Sequence, residues 1–308
     1  MASFDTLKTA CIFLLDVFAL LVRCIAAVVL EVLGLVWRKP RSPIRGDIAL
    51  VTGGGHGIGR EICRILARYG AQVAILDINK SSADKTVTLI ASEGGSAIAY
   101  KCDVTNYDEV QHVAAQVTRD MGRVNILVNN AGILHGLDII SLNEQQIKNT
   151  FNVNNIAQFW TLKTFLPDML SANYGYIMNI ASMAGYHATS YLTDYCASKF
   201  AVRGFTLGLE HEIRVCHKKD YVHVTGVYPM FVDTGMTWYP KSRFNDRLLP
   251  PQEVAEACVD GMLRNELFVY IPGRMRYIAA LLDFLPTSLV RLLTDFFGVG
   301  IEPHYKSV

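Results

Sequence analysis

The chain has 308 residues, 51% of them hydrophobic, with 29 Lys and Arg against 28 Asp and Glu and a formal net charge of +1. That length buries a sizeable core without disulfide staples, and the near-neutral charge excludes an electrostatic grip on nucleic acid. Seven widely spaced cysteines without a CxxC pair exclude a disulfide framework and read as reduced thiols, and no metal site is expected. A mean hydropathy of +0.24 assigns some apolar surface to lipid or to a partner.

Residues 1–40 carry the densest apolar stretch. From Thr9 to Trp37 only Asp16, Arg23 and Glu31 are charged, and the basic run RKPRSPIRG follows. At 100° per residue Lys8, Asp16, Arg23 and Glu31 fall within an arc of roughly 140°. The segment is expected to form an N-terminal hydrophobic membrane-anchoring helix with a basic hinge held on the cytoplasmic side. Insertion in the interface plane is favoured over a true span. The uncharged runs are six or seven residues long, where a span wants roughly 20.

From residue 41 to 272 short apolar runs alternate with longer helical stretches. The runs are IALVT (48–52), VAILD (73–77), SAIAY (96–100), VNILVN (124–129), YIMNI (176–180), VHVTGVYP (222–229) and FVYIP (268–272). Helices are expected over 58–69, from about 82, from about 107, over 143–170, over 194–216 and over 251–263. This alternation predicts an α/β fold with a doubly wound parallel sheet covered by helices on both faces. The tail, 273–308, is rich in Leu and Phe and broken by Pro286. It suits a second membrane-facing element, a lid over an apolar pocket, or a dimer contact.

The first strand runs into VTGGGHGIG, where Gly53, Gly57, Ile58 and Gly59 shape a turn that opens a helix. Glycines there admit a phosphate to the backbone, and the free N–H groups of the helix N-terminus satisfy its oxygens. Asp77 ends the second strand, 24 residues after Gly53. A carboxylate at that place accepts both ribose hydroxyls of NAD and repels a 2′-phosphate, so NAD is expected in preference to NADP. Asp103 closes the third strand and suits an adenine amine. Asn129 and Asn130 open the NNAG run after the fourth strand, at the crevice where ligands sit. Each polar residue here also has a plain reading as a cap or turn residue.

Tyr195 and Lys199 stand four apart in a helix and share one face. A phenol of pKa about 10 is a poor base. A neighbouring ammonium lowers that value and lets Tyr195 exchange a proton with an alcohol or a carbonyl. Ser182, 13 residues earlier, ends the fifth strand and can hold the substrate oxygen. Asn154 suits a water that relays protons to Lys199. An ordinary helix pair and a capping serine would use the same residue types.

TGGGHGIG, NNAG, Asn154, Ser182 and YCASK together resemble the short-chain dehydrogenase/reductase superfamily over about residues 45–272. The apolar leader, the basic hinge and QFWTLKTFLPDML (158–170) resemble its membrane-bound 17β-hydroxysteroid and epidermal retinol dehydrogenase branch. The resemblance implies a Rossmann-type fold, a tetrad of Asn154, Ser182, Tyr195 and Lys199, and Lys199 on the nicotinamide ribose. It implies Thr234 on the carboxamide, and a homodimer formed through the two long helices. Two departures stand out: Pro229-Met230 replaces the family's Pro-Gly, and Ala181-Ser182 replaces its Ser-Ser pair.

The substrate slot is expected to be lined by Ser182, Tyr186, Tyr191, Met230, Met236 and Trp238, apolar with few polar anchors. NAD-linked oxidation of a lipophilic alcohol at a membrane or lipid-droplet surface of the endoplasmic reticulum is the leading expectation. An NADPH- or NADH-dependent reductase of a keto-lipid, and a membrane scaffold that binds NAD without turnover, are the alternatives.

Overall fold

The computed structural model describes residues 4–34, 38–236, 240–241, 243 and 248–303. It divides into two compact units, Met1–Ser42 and Pro43–Val308.

Among the described residues, the first unit holds one helix, α1 (Phe4–Gly34). Its large side chains, Phe13, Leu15, Phe18 and Ile25 among them, are exposed. The expected membrane-anchoring helix is corrected here: among the described residues, no helix is long and apolar enough to cross a membrane. The reason lies in the charges. Lys8, Asp16 and Arg23 recur every two turns, so no uncharged stretch approaches the thickness of a bilayer.

The second unit alternates strands and helices: β1 (Ile48–Thr52), α2 (Gly57–Arg68), β2 (Gln72–Asp77), α3 (Lys80–Ser92), β3 (Ser96–Lys101), α4 (Tyr107–Asp120) and β4 (Val124–Asn129). Then come α5 (Glu144–Phe151), α6 (Ala157–Ala172), β5 (Gly175–Ile180), α7 (Thr193–Glu212), β6 (Val222–Pro229) and β7 (Pro240–Lys241). The chain finishes with α8 (Pro251–Leu263), β8 (Phe268–Ile271), α9 (Met275–Phe284), α10 (Thr287–Phe297) and β9 (Gly300–Ile301). Seven strands form one sheet in the order β3-β2-β1-β4-β5-β6-β8, every pair parallel. This is the doubly wound Rossmann arrangement.

Apolar runs buried on both faces explain the sheet: β1 and β5 are buried at every position. On one face Ile62 and Leu66 of α2 and Val254, Cys258 and Met262 of α8 cover Val51, Ile75 and Ile126. On the other, Val113 and Val117 of α4 and Phe165 and Met169 of α6 cover Leu50, Leu127 and Ile177. Asn79, Asn106 and Asn143 each cap a helix by accepting a backbone N–H. The order reverses between β1 and β4, so a crevice opens at the C-terminal ends of those strands.

Two helices depart from their expected continuity. The helix expected over 143–170 is interrupted by a π-helical turn at Asn152–Ile156, and α7 ends in a second such turn at Ile213–His217. A π turn fits one extra residue into the helix, and the first one sets Asn154 fully inside the protein. The loop after β6 contains β7, and the tail forms α9, α10 and β9, with β9 returning antiparallel to β7.

Candidate functional site

The glycine turn is built by close packing. Gly53 and Gly57 adopt left-handed φ values of 66° and 54°, which glycine reaches at no steric cost. A side chain on Gly59 would collide with the Gly53 carbonyl and the Asn130 amide. Asn130 donates its amide to the carbonyls of Thr52 (2.9 Å) and Gly53 (3.1 Å), so it braces the turn from beneath. The Thr52 hydroxyl accepts the N–H groups of Asn130 and Ala131 at 3.0 and 3.1 Å, tying β1 to the end of β4. His56, before α2, makes no side-chain cap, which leaves the first N–H groups of the helix aimed at the crevice.

Asp77 faces that turn from the end of β2. One carboxylate oxygen accepts the Gly55 N–H at 2.9 Å and the other accepts the Asn79 N–H at 2.9 Å. A side chain on Gly55 would press on the same carboxylate at 2.8 Å. Asp103 accepts both the N–H (2.9 Å) and the hydroxyl (2.7 Å) of Thr105. Thr234 packs over the turn, its methyl 3.0 Å from where a Gly57 side chain would begin. The donors, the paired carboxylate oxygens and the side-chain-free cradle fit a dinucleotide.

The second cluster lies at the ends of β4 and β5. Asn154 clasps the backbone after β4: its carbonyl oxygen accepts Ile133 N–H at 2.8 Å and its amide donates to Ile133 O at 3.1 Å. That amide also donates to the Ser198 hydroxyl at 2.9 Å. Lys199 is buried and donates to the Ile180 carbonyl at 2.8 Å. Its Nζ lies 5.5 Å from the Tyr195 ring centroid. A side chain on Gly132 would reach the Asn154 carbonyl oxygen at 3.5 Å and Lys199 Nζ at 3.7 Å. Glycine therefore keeps a space open beside both.

Ser182 accepts the Ala184 N–H at 3.1 Å and so caps the short turn that follows β5. Burial pushes the Tyr195 phenol up to about 12, against the pull of the neighbouring Ser182 hydroxyl. Burial also brings the Lys199 ammonium down to about 8. Desolvation is the leading cause of both shifts.

The residues expected around the slot fall into two groups. Tyr191, Tyr195 and Phe231 pack with Leu134, Ala184, Leu192, Cys196 and Ile301. Tyr191 takes a left-handed φ of 63°, an uncommon conformation for a bulky residue. Tyr186 and Met230 instead join the cluster of Tyr228, Val202, Met275 and Ala279, and the Tyr186 hydroxyl meets that of Tyr270 at 2.7 Å. Met236 is exposed, and Trp238 lies outside the described residues. Leu134 and Ile301 were not foreseen. Leu134 lies two residues after the NNAG turn, a local signal, whereas Ile301 has none.

A buried polar chain underlies the site. Asn129 donates to Asn179 Oδ1 at 3.0 Å and accepts from Thr161 at 2.7 Å, and Asn179 donates to Thr206 at 3.1 Å. It links α6, β4, β5 and α7 through fully paired groups.

Comparisons with known proteins agree with this geometry. A family model described as short chain dehydrogenase matches residues 47–243. Human 17-beta-hydroxysteroid dehydrogenase 13 is 32% identical over 289 residues, covering 94% of this chain and 96% of that protein. Mouse epidermal retinol dehydrogenase 2 is 36% identical over 265 residues, covering 85% of each. A short-chain dehydrogenase/reductase from Burkholderia phymatum, solved with NAD, shares the fold with a TM-score of 0.69 at 24% identity, covering 80% of this chain and 98% of that one. A metagenomic short-chain oxidoreductase solved with NADP has a TM-score of 0.63 at 28% identity, covering 74% of this chain and 99% of that one. The chain belongs to the short-chain dehydrogenase family and is an oxidoreductase built on that family's NAD(P)-binding fold.

Proposed function

We propose that the protein oxidises a lipophilic alcohol, of retinol-like or steroid-like character, to its carbonyl with NAD. The observation that carries this reading is the apolar cluster that Tyr195 shares with Leu134, Tyr191, Leu192, Phe231 and Ile301. An apolar wall beside one phenol and one serine hydroxyl favours a substrate with a single polar group. The similarity to a steroid and a retinol dehydrogenase points the same way.

Bound NAD supplies the hydride acceptor. Asp77 receives the ribose hydroxyls, the α2 N-terminus and the Gly53–Gly59 turn take the phosphates, Asp103 meets the adenine, and Thr234 meets the carboxamide. Ser182 holds the substrate oxygen and Tyr195 takes its hydroxyl proton. Lys199 steadies the phenolate, and Asn154 holds the loop that carries Ile133 and orders the space beside Lys199. The doubly bonded Asp77 carboxylate supports NAD over NADP, because a 2′-phosphate would face an anion already fixed by two backbone amides.

The same site suits the reverse direction. In that direction desolvation, which raises the Tyr195 phenol, favours its protonated form, which donates to a ketone or aldehyde. Two further parts of the reading concern partners. Phe159, Phe200 and Leu207 lie exposed on α6 and α7 and support pairing with a second copy. Tyr277, Leu281, Phe284 and Leu292 lie exposed on α9 and α10 and support work at a membrane or lipid-droplet surface, with residues 41–272 as the catalytic region.

A panel of retinol, a 17β-hydroxysteroid and a long-chain primary alcohol, each with NAD and with NADP, tests the reading. Reduced nucleotide should accumulate with at least one alcohol and faster with NAD. Binding of NAD without turnover of any alcohol or carbonyl partner would return a scaffold instead.

A further inference from the structure

We infer that Ile301 is a specificity-determining residue, whose side chain forms the far wall of the substrate slot and limits the bulk of the alcohol that lies over Tyr195. The inference rests on the proposed oxidation of a lipophilic alcohol.

Ile301 is 3% exposed and packs in the cluster of Leu192, Cys196, Tyr191, Tyr195 and Phe231. Among the described residues from Thr287 onward it is the one buried side chain: α10 buries none, and Gly300 and Glu302 on either side are more open. A segment that served stability alone would turn a face of α10 into the core. This one leaves Leu292 and Phe296 in the open and places a single apolar side chain in the cluster that holds the proposed reacting phenol.

The backbone explains how it arrives there. β9 pairs antiparallel with β7, Pro240 opposite Ile301 and Lys241 opposite Gly300. Arg243 reinforces this pairing, its N–H donating to Phe297 O at 2.9 Å and its guanidinium lying 4.7 Å from the Phe296 ring centroid. β7 belongs to the loop after β6, and the same loop puts Thr234 on Gly57 in the glycine turn. One loop therefore touches the nucleotide cradle at one end and carries β9 at the other. The identity of residue 301 then reports on substrate shape without touching the nucleotide.

The chemistry sets direction and size. Ile301→Ala removes three carbons and opens the wall, and Ile301→Phe advances it. One methylene in an apolar pocket is worth about 10- to 200-fold in discrimination. The test uses the full chain as wild type, Ile301→Ala, Ile301→Phe and Ile301→Val, with 17β-estradiol as the bulky fused-ring alcohol and 1-decanol as the slim one. The kcat/KM ratio of estradiol to decanol should rise about tenfold or more in Ile301→Ala, fall in Ile301→Phe and move least in Ile301→Val, with the KM for NAD unchanged. A ratio equal to wild type in both Ala and Phe variants, at unchanged melting temperature, overturns the inference. Ile301→Val decides if the larger changes unfold the chain, because a ratio that stays fixed in a folded Val variant counts against it and a modest rise counts for it. Equilibrium dialysis of both alcohols against the NAD-loaded protein keeps the two readings apart. Wild type that turns over neither alcohol sinks the proposed reaction, while the ratio of dissociation constants across the variants still decides Ile301.

Discussion

Lys199 Nζ stands 5.5 Å from the centre of the Tyr195 ring while it donates to the Ile180 carbonyl. Lys199 is buried and Tyr195 half-buried, and desolvation moves each toward its neutral form: the ammonium down to about 8, the phenol up to about 12. The pair is set electrostatically by its surroundings more than by each other.

Stability should therefore depend on pH through Lys199. Between pH 8 and the ordinary lysine value of 10.5, the unfolded chain carries a proton that the folded chain has lost. Folding releases that proton, so stability rises with pH across this window, and the penalty for the buried ammonium is in full force below pH 8. Tyr195 acts oppositely above pH 10, where only the unfolded phenol ionises. Urea unfolding of the nucleotide-free protein at pH 7.5, 8.5 and 9.5 should show a rise in wild type that Lys199→Met lacks.

Tyr195→Phe keeps the ring in its cluster and removes the proton carrier. Turnover should fall by about 10²–10⁴-fold, while NAD binding, read by titration calorimetry, stays within about twofold of wild type, since the loss of one hydroxyl leaves the glycine turn and Asp77 in place. Equal losses in binding and turnover would remove Tyr195 from the role of proton carrier.

Gly59→Ala tests the cradle itself. The new methyl group meets the Gly53 carbonyl and the Asn130 amide, and overpacking of this kind costs about 1–3 kcal/mol. The turn must shift, so affinity for NAD should drop by about tenfold or more. Thermal melting separates that loss from general unfolding.

Thr206→Val breaks the buried polar chain. It removes the oxygen that accepts from Asn179 and leaves an amide N–H unpaired in the core. The expected cost is about 1–3 kcal/mol, measured by urea denaturation, with the preference between NAD and NADP unchanged.

Asp77→Asn addresses cofactor choice. The amide retains a carbonyl oxygen for one of the two backbone N–H groups that Asp77 accepts and removes the charge that repels a 2′-phosphate. The kcat/KM ratio of NAD to NADP should fall by about tenfold, a change of roughly 1.4 kcal/mol. An unchanged ratio would place the selection elsewhere on the turn.

Much of the fold was legible because it is written in local repeats. Apolar runs of five to eight residues announced the parallel strands, and the glycine pattern after IALVT announced the nucleotide turn. The apolar stretch at the N-terminus misled for a related reason. Hydrophobic density resembled a membrane-anchoring segment, and among the described residues no helix is long and apolar enough to cross a membrane. Asn130 was legible as a site residue but not in its part, since its amide is committed to Thr52 and Gly53. That bond joins residues 77 and 78 positions apart, beyond the reach of any motif.

By itself the sequence determined the strand and helix order, the glycine turn, the acidic end of β2 and the one-turn spacing of Tyr195 and Lys199, because each depends on neighbours within a few residues. The tertiary structure alone decided the π turn that buries Asn154, the polar chain from Thr161 to Thr206, the charge states of Tyr195 and Lys199, and the arrival of Ile301 beside the phenol. Desolvation and packing arise from atoms brought together across tens of residues and, at Ile301, across more than a hundred, and only the folded chain brings them together.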